Sequence, residues 1–518
     1  MKKHLFWILP SIIIAAGIIN VFYQNITNVA EPPAANWSRA LHIGTTTVDN
    51  KLPVQVTEDG TINIQTYEDE QLRIKTLTKD FETIEEKSYD IPYDKWTQVY
   101  LQGDTLIYHD YNHIYDQEGN IIVSDASRFY PLKDTILYIK ENALYELAPA
   151  DNSTQKLMDL EKGIEDIIPY QGEQGLYFMT ENSLNNEVEL NVYNVNSTDV
   201  EYIHQEQFTL DFGQVVNHID FVINGENLAF TLETEQKQSQ GAPVFYTYFK
   251  ETAIGGSEGT PLQQLEFDDP VGDGSLSEVA GISVKYQDGK PHFLFRASGN
   301  SQTQFKGRSA FNIYAATMSD SGHIDVSRKS NTPEISSKPQ WLNDETVAWL
   351  DMEGDENVIY VSSGNPEIID KASSLTQDDW IRALGKTLGM LSVIAVTISI
   401  SSIWFVWPVL FIVVVYFLRG RIVEEDPAWL FYTGIGIYML AVFFFKEYIF
   451  VPSVYANAPS YLTFNGSSIV YILLFAVIAF IAAQSTKKTR GWQASGRIAC
   501  FAGAHILMVL SVFGPYFI

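Results

Sequence analysis

Residues 338–351 read Lys338-Pro339-Gln340-Trp341-Leu342-Asn343-Asp344-Glu345-Thr346-Val347-Ala348-Trp349-Leu350-Asp351. A Pro-x-Trp segment is followed by a polar turn and then by a short apolar run. A second run, Asn357-Val358-Ile359-Tyr360-Val361, begins a few residues later. Two short runs of this composition, separated by Asp and Gly, predict a β-hairpin. Weaker copies of the pattern recur upstream as far as about residue 54, so the hairpin is one unit of a repeat.

Seven such hairpins are predicted between residues 54 and 369, and no stretch of this region has a sustained helical period. Each hairpin joins two short runs rich in Tyr, Phe, Ile and Val, which are bounded by Asn, Asp, Gly or Pro. The predicted pairs are 62–64 with 72–74, 106–108 with 113–115, 136–138 with 143–145, 176–178 with 190–193, 228–230 with 245–248, 293–295 with 312–314, and 347–349 with 358–360.

The spacing of these hairpins predicts the fold class. Repeats of about 40 to 50 residues, each with room for four short strands, are typical of propeller blades. One small sheet cannot bury both of its faces, whereas sheets arranged around an axis cover one another. We therefore predict an all-β propeller over residues 54–369, with seven as the favoured number of blades. A stack of β-sandwiches is the alternative.

The last repeat also resembles a known one. Pro339-x-Trp341, Asp344-Glu345, Val347-Ala348-Trp349 and Ile359-Tyr360 together look like the repeat of TolB-type and WD40-like bacterial propellers. In that repeat a Pro-x-Trp-Ser-Pro-Asp-Gly turn leads into an Ile-Ala-Phe strand and then an Ile-Tyr strand. This chain departs from it at Leu342-Asn343, where the repeat has Ser-Pro. The resemblance implies a propeller and a binding role, and it carries over no functional residue.

The acidic charge lies in the middle of the chain. Residues 26–380 contain 23 Lys and Arg against 59 Asp and Glu, a formal charge of −36, whereas the whole chain carries −29. A field of this sign repels nucleic acid and anionic membrane surfaces, so we predict no nucleic-acid partner. The acidity favours solubility in a salty exterior or, as the alternative, binding of cations.

The sequence contains no motif that predicts an enzyme. Its one cysteine, Cys500, lies in an apolar stretch, which excludes an intrachain disulfide and disfavours thiol chemistry. Walker, Gly-x-Ser-x-Gly and His-Glu-x-x-His motifs do not occur. We predict a protein that is not an enzyme, although a Ser-His-Asp triad stays open because its members need not be neighbours in sequence.

The N-terminus has the pattern of an export signal. Met1-Lys2-Lys3-His4 precedes an apolar run over residues 5–21, and no small-x-small cleavage site follows. We expect residues 1–25 to form an uncleaved signal anchor with its lysines in the cytoplasm, a cleaved signal peptide being the alternative. Residues 26–53 are then a linker and the start of the exported domain.

Four apolar blocks follow a linker or juxtamembrane helix at 370–387. They cover 388–418, 428–445, 468–483 and 498–518, and each is close to the length that crosses about 30 Å of hydrocarbon. Arg419, Arg421 and the basic segment 487–490 would all face the cytoplasm if each block spans once. We predict a four-span bundle at 388–518 in a plasma membrane, with the propeller and the C-terminus outside. Charge favours one span over two for 388–418.

The sequence offers one candidate metal site. Asp351, Glu353, Asp355 and Asn357 alternate oxygen ligands across a turn that contains Gly354, as calcium loops do. The full loop pattern and its terminal bidentate Glu are missing, so a plain acidic turn is the favoured interpretation. We predict no cofactor, with Ca²⁺ as the alternative.

His505 is the candidate polar site within the apolar blocks, because an ionisable group at bilayer depth is costly and often functional. With no second His, Asp or Glu at the same depth, the favoured interpretation is a neutral imidazole that joins helices by hydrogen bonds.

Three functions are compatible with these patterns. The favoured one is a membrane-anchored, extracytoplasmic propeller that binds an envelope protein, peptide or glycan. The second is a sensor or accessory subunit of a membrane transport or signalling complex. The third is an exported hydrolase on a propeller scaffold. The lack of disulfides, the anchor and the acidic exterior suggest a bacterial plasma membrane.

Overall fold

The computed structural model describes residues 5–517 apart from 58–59, 69–70, 165, 173, 185, 197–198, 239–242, 257–260, 301–308, 333 and 355. The chain divides into two compact units. Glu31–Ser374 form one unit, and Met1–Ala30 together with Leu375–Ile518 form the other. Each unit is described by itself below.

The described part of the first unit contains seven four-stranded antiparallel sheets. Sheet 1 contains β2 (Val54–Val56), β3 (Ile62–Glu68), β4 (Gln71–Leu77) and β5 (Thr83–Tyr89); sheet 2 contains β6 (Gln98–Gln102), β7 (Thr105–Asp110), β8 (His113–Asp116) and β9 (Ile121–Ser124); sheet 3 contains β10 (Ala126–Pro131), β11 (Ile136–Lys140), β12 (Ala143–Ala148) and β13 (Ser153–Asp159); sheet 4 contains β14 (Ile168–Gly172), β15 (Gly175–Leu184), β16 (Glu187–Asn196) and β17 (Asp199–Thr209); sheet 5 contains β18 (Gln214–Asn224), β19 (Asn227–Gln236), β20 (Val244–Ala253) and β21 (Gln263–Leu265); sheet 6 contains β22 (Ser277–Gln287), β23 (Lys290–Asn300), β24 (Ser309–Met318) and β25 (Ile324–Arg328); sheet 7 contains β26 (Ile335–Asn343), β27 (Thr346–Glu353), β28 (Glu356–Ser363) and β1 (Leu41–Thr46).

The order of the strands makes these sheets a closed ring. In sheets 1 to 6 the strands lie side by side in chain order, and the first strands of neighbouring sheets approach each other, as β18 and β22 do. The first strands therefore lie nearest the axis. Sheet 7 takes its fourth strand from the start of the chain, because β1 pairs with β28 from Leu41 opposite Val361 to Thr46 opposite Asn357. The unit is a seven-bladed β-propeller.

Apolar side chains hold neighbouring sheets together. Within the described residues, seven separate buried clusters each fill the gap between two sheets. Leu350 and Ile359 of sheet 7, for example, pack with Ile64 of sheet 1 and so close the ring. Each sheet is covered on both faces, which a single sheet in water cannot achieve.

The aromatic residues that mark the repeat form cross-strand pairs. In five sheets, an aromatic residue on the second strand lies directly opposite one on the third, and their ring centroids are 4.8 to 6.1 Å apart. Such pairs stabilise a sheet beyond the area that they bury. The pairs are Tyr108 with Tyr115, Tyr138 with Tyr145, Phe178 with Tyr193, Phe295 with Tyr314, and Trp349 with Tyr360.

The second unit is helical. Its helices are α1 (Leu5–Val29), α3 (Gln377–Glu425), α4 (Ala428–Phe445), α5 (Pro452–Asn457), α6 (Ser460–Thr463), α7 (Ser467–Arg490) and α8 (Ala494–Phe513), and α2 (Pro366–Ser373) belongs to the propeller unit. Five of them, α1, α3, α4, α7 and α8, are long and apolar enough to cross a membrane. The most buried is α8, which packs against the other four.

Helix α1 is part of the core of the helical unit. Gly17 lies so close to α8 that a Cβ atom there would be 2.7 Å from the carbonyl oxygen of Ser511. Asn25 is 2% exposed, and its Nδ2 donates to Thr387 Oγ1 of α3 at 2.9 Å. Because unpaired polar groups are costly in an apolar setting, these contacts bind α1 to its neighbours specifically.

The structure refines several predicted boundaries. All seven predicted hairpins occur, each as the second and third strands of a sheet. The predicted propeller start at residue 54 leaves out β1, because its short run with Gly44 inside resembles a linker in sequence. The block at 388–418 lies within a single helix, α3, which has Thr376 as its N-terminal cap and leaves helical geometry at Arg419.

Substitution of Trp349 tests the packing between sheets 6 and 7. It is fully buried beside Leu294 and Ile313, and its Nε1 donates to Asp351 Oδ1 at 2.8 Å. We expect Trp349→Ala to lower the free energy of unfolding of the propeller by about 3–5 kcal/mol, as large aromatic deletions in cores do. Urea denaturation followed by the far-ultraviolet β-sheet signal measures the loss.

The matched control is Trp96→Ala, because Trp96 is 56% exposed. Equal losses in the two variants would contradict the assigned packing.

Candidate functional site

A cavity of the propeller borders its axis. It has a volume of about 1060 Å³ and is lined by the first strands of four sheets, β2, β6, β10 and β26, together with residues of β3 to β5. It therefore extends from the axis outward between sheets 1 and 2.

Differences in strand length explain where the cavity lies. In sheet 1 the first strand, β2, has only 3 residues, whereas β18 and β22 have 11 each. At about 3.3 Å per residue, a first strand of three residues covers little of the wall. The long strands of sheets 4 to 6 fill the opposite side of the ring, so open space remains at sheets 1 and 2.

The cavity wall is rich in side-chain amides. Gln98, Gln102 and Gln340 come from first strands, and Gln98 and Gln102 are exposed. Among the described residues, the amides of Gln98 and Gln340 have no side-chain hydrogen bond, whereas Gln102 Oε1 accepts from Tyr100 at 2.6 Å. The remaining amides of the wall belong to Gln55, Asn63 and Gln65.

Charged groups in the wall are largely neutralised by their neighbours. Lys87 lies 2.9 Å from Asp104 and 3.5 Å from Glu85, the two acids of the wall. Lys51 donates to the carbonyl of Thr97, and burial lowers the pKa of its ammonium to about 8, against a weaker opposite effect of Asp94. The cavity can therefore offer hydrogen bonds without the strong negative field of the surrounding domain.

The first strands of sheets 5, 6 and 7 are irregular. The register shifts in β18, β22 and β26, and Glu278 and Lys338 adopt positive φ angles of 52° and 50°. In β22 the shift includes Gly281 at φ 65°, a conformation that glycine adopts readily. Bulges of this kind are frequent near functional sites, since they redirect side chains.

Two carboxylates of sheet 5 hold the irregular strand β22 in place. Glu233 is 4% exposed, and its Oε1 accepts from the backbone N–H of Ile282 at 2.5 Å. Asp220 Oδ2 accepts from the N–H of Val284 at 2.8 Å. Burial raises the pKa of Glu233 to about 7 and that of Asp220 to about 6, although the backbone hydrogen bonds and, for Glu233, Arg296 oppose the shift.

The predicted calcium ligands are only partly placed. Asp351 is 1% exposed and its Oδ1 accepts from Ser336 at 2.7 Å, while Asn357 Nδ2 donates to the carbonyl of Val48 at 3.2 Å. Asp351 lies opposite Val358 in the register, so Asp351 and Asn357 point to opposite faces of sheet 7. The structure does not bring these two together. The side chain of Glu353, and Asp355 as a whole, lie outside the described residues, so the calcium site stays a prediction.

His505 joins three helices. The ring is fully buried midway along α8; Tyr438 of α4 donates to Nδ1 at 2.8 Å, and Nε2 donates to the carbonyl of Ile472 of α7 at 3.0 Å. Both nitrogens are therefore occupied, which assigns the neutral tautomer with its proton on Nε2. This geometry corresponds to the interpretation of His505 as a neutral imidazole that joins helices by hydrogen bonds.

The sequence analysis missed the amide-rich wall and the two buried carboxylates. One signal was available, because Gln340 and Trp341 lie inside the stretch that decided the fold. The other amides of the wall and the two buried carboxylates have no signal in the sequence, since they come together with their neighbours only when distant sheets close the ring.

Comparisons with known proteins concern the fold alone. No protein-family profile matches the sequence, and no curated protein matches it. Among solved structures, the chain is similar to the WD40 domain of Neurospora crassa Pan2, at 8% identity over 64% of this chain and 96% of that chain, with a TM-score of 0.36. It is also similar to TolB from Acinetobacter baumannii, at 13% identity over 58% and 78%, with a TM-score of 0.27.

The predicted resemblance to WD40-like and TolB-type propellers is confirmed. The fold assignment rests on the seven sheets themselves, because these identities and scores carry no argument about ligands or activity.

Glu233 is expected to make the propeller pH-sensitive. Its pKa is raised from 4.5 to about 7, so its stabilising contribution is complete below pH 4.5 and is lost as the pH rises through 7. Glu233→Gln is uncharged at every pH, so the stability of the variant relative to wild type should rise between pH 5 and pH 8. The expected rise is on the order of 3 kcal/mol.

Urea denaturation of both proteins at several pH values measures this difference. Glu235→Gln, on the same strand, is the control. A difference between Glu233→Gln and wild type that stays constant with pH would refute the assignment.

His505 and Tyr438 are expected to be coupled. We expect Tyr438→Phe to destabilise the helical unit by about 1 kcal/mol. His505→Ala should cost more, since it breaks the same hydrogen bond and also the one to Ile472. The double variant should lose less than the sum of the two. Thermal unfolding of the full chain in detergent measures the coupling, and additive losses would contradict the hydrogen bond.

Proposed function

We propose that this protein is a membrane-anchored binding module. The propeller receives an extracytoplasmic ligand or partner of the cell envelope in the cavity beside its axis, and the helical unit holds it at the plasma membrane. The observation that carries the proposal is the 1060 Å³ cavity, which is lined by amides that have hydrogen-bonding capacity to spare. Concave sites with a few convergent polar groups are the usual binding sites of proteins.

The five apolar helices support the anchoring part of the proposal. Their lengths match a bilayer, and the contacts of Gly17 and Asn25 suit a helix that remains with the bundle after export. The basic residues near 419–421 and 487–490 favour a cytoplasmic N-terminus and an exterior propeller.

We further propose that the role is binding rather than catalysis. The amide-rich wall provides hydrogen bonds for a ligand, and its Lys51 is engaged with the carbonyl of Thr97. A sensor role in a larger complex is compatible with the same cavity, because a sensor also begins by binding.

Site-specific photo-crosslinking in cells tests the proposal. Benzoylphenylalanine replaces either Gln98, an exposed residue of the cavity wall, or Glu201, an exposed residue on the outer strand of sheet 4. We expect an adduct from position 98 only, of discrete mass on electrophoresis. The substitution Gln340→Trp in the same chain should remove this adduct, because the larger side chain occupies part of the cavity.

An adduct of equal yield from both positions, or none from position 98, would refute binding in the cavity. Correct insertion of every variant is checked by its protein level and by its resistance to protease.

A further inference from the structure

We propose that the ligand of the cavity is an uncharged oligosaccharide. This inference rests on the proposed function and specifies the chemical class that the site takes. It is carried by three properties of the wall: its charge balance, its hydrogen-bonding groups and the ring of Trp341.

The charge balance excludes strongly charged ligands. The region 26–380 carries a formal charge of −36, yet the cavity wall has only two acids, Glu85 and Asp104, and both contact Lys87. An acidic wall would be expected for a cationic ligand. An anionic ligand would need unpaired cations, whereas Lys87 is paired, Lys51 donates to a backbone carbonyl, and Lys133, the third lysine of the wall, also has an interaction partner. A neutral ligand fits best, and it could enter an acidic domain without repulsion.

The hydrogen-bonding groups match hydroxyls. A side-chain amide offers both donors and an acceptor, so it can pair with a hydroxyl in either orientation. Gln98 and Gln340 come from sheets on the two sides of sheet 1, and neither amide has a side-chain partner within the described residues. A ligand rich in hydroxyls could therefore bind to both at once, whereas an apolar ligand would leave these amides unpaired at a cost.

Trp341 gives the wall an apolar surface of limited extent. The ring is partly exposed in the cavity, and Lys285 Nζ lies 4.0 Å from its centroid, so one face is already covered. An aromatic ring among amides suits the weakly apolar face of a sugar ring, because stacking needs only one flat surface.

The size of the cavity is compatible with several sugar units. At about 1060 Å³ it lies at the upper end of the roughly 300–1,000 Å³ that is typical of small-molecule sites. A peptide would instead bind as an added strand along a long strand edge, with its alternate side chains in apolar pockets. Of the first strands that border the space, β2 offers only 3 residues and β6 only 5 for such pairing.

Binding of defined probes to the purified full chain tests the inference. The protein is kept in lauryldimethylamine oxide, a detergent without a sugar head group. Isothermal titration compares two neutral hexasaccharides, of β-1,4-linked glucose and of β-1,4-linked N-acetylglucosamine, with an anionic hexagalacturonate and a neutral Gly-Ser decapeptide. We expect at least one neutral hexasaccharide to bind more tightly than the anionic sugar and the peptide.

Matched variants locate the binding. Gln98→Ala/Gln340→Ala should weaken the hexasaccharide roughly tenfold or more, since two hydrogen-bonding groups are removed. Gln264→Ala, an exposed amide on the outer strand of sheet 5, should leave the affinity unchanged. Neutral sugars that fail to bind at millimolar concentration, or that bind the double variant equally well, would overturn the proposal.

The photo-adduct at position 98 separates this inference from the proposed function. An adduct whose mass is reduced by glycosidases supports the oligosaccharide. A protease-sensitive adduct that resists glycosidases would refute the oligosaccharide and leave the binding function standing. The absence of any adduct at position 98 would refute both.

Discussion

The propeller depends on one physical constraint: each of its sheets is apolar on both faces. Such a sheet is stable only when both faces are covered, and a row of sheets would always leave two faces in water. A ring leaves none. The pairing of β1 with β28 closes that ring, because it completes sheet 7 with a strand from the other end of the region. The seven apolar clusters between sheets follow from this closure, since each needs a sheet on either side.

The same closure determines where a ligand can bind. Seven sheets of equal size would leave a uniform channel, but these sheets differ in strand length. The long strands of sheets 4 to 6 bring their first strands close together, and their bulges are held by buried carboxylates such as Glu233. The three-residue β2 leaves space on the opposite side. The cavity is therefore a consequence of unequal repeats, and its amide lining is what makes it suitable for binding.

The local parts of the fold could be predicted from the sequence, whereas the long-range parts could not. A hairpin such as 347–349 with 358–360 is encoded by neighbouring residues, and all seven were predicted. β1 was not, since its partner β28 is about 300 residues away and its own composition resembles a linker. The cavity was missed for the same reason, as Gln98 and Gln340 meet only after the ring closes. His505 was found because an ionisable residue in an apolar block is rare, but its bonds to Tyr438 and Ile472 required the packed helices.

Ring closure also allows the propeller to be an insertion in the helical unit. The chain enters and leaves the ring side by side, because the N–H of Ser38 donates to the carbonyl of Ser363 at 2.8 Å. A domain whose two ends are adjacent can be inserted in the sequence between two helices while those helices stay packed together. α1 and α3 are such helices, joined by the bond from Asn25 to Thr387 although these two residues are 362 positions apart in the sequence. The strand that closes the ring thus lets the first and last parts of the chain fold as one unit.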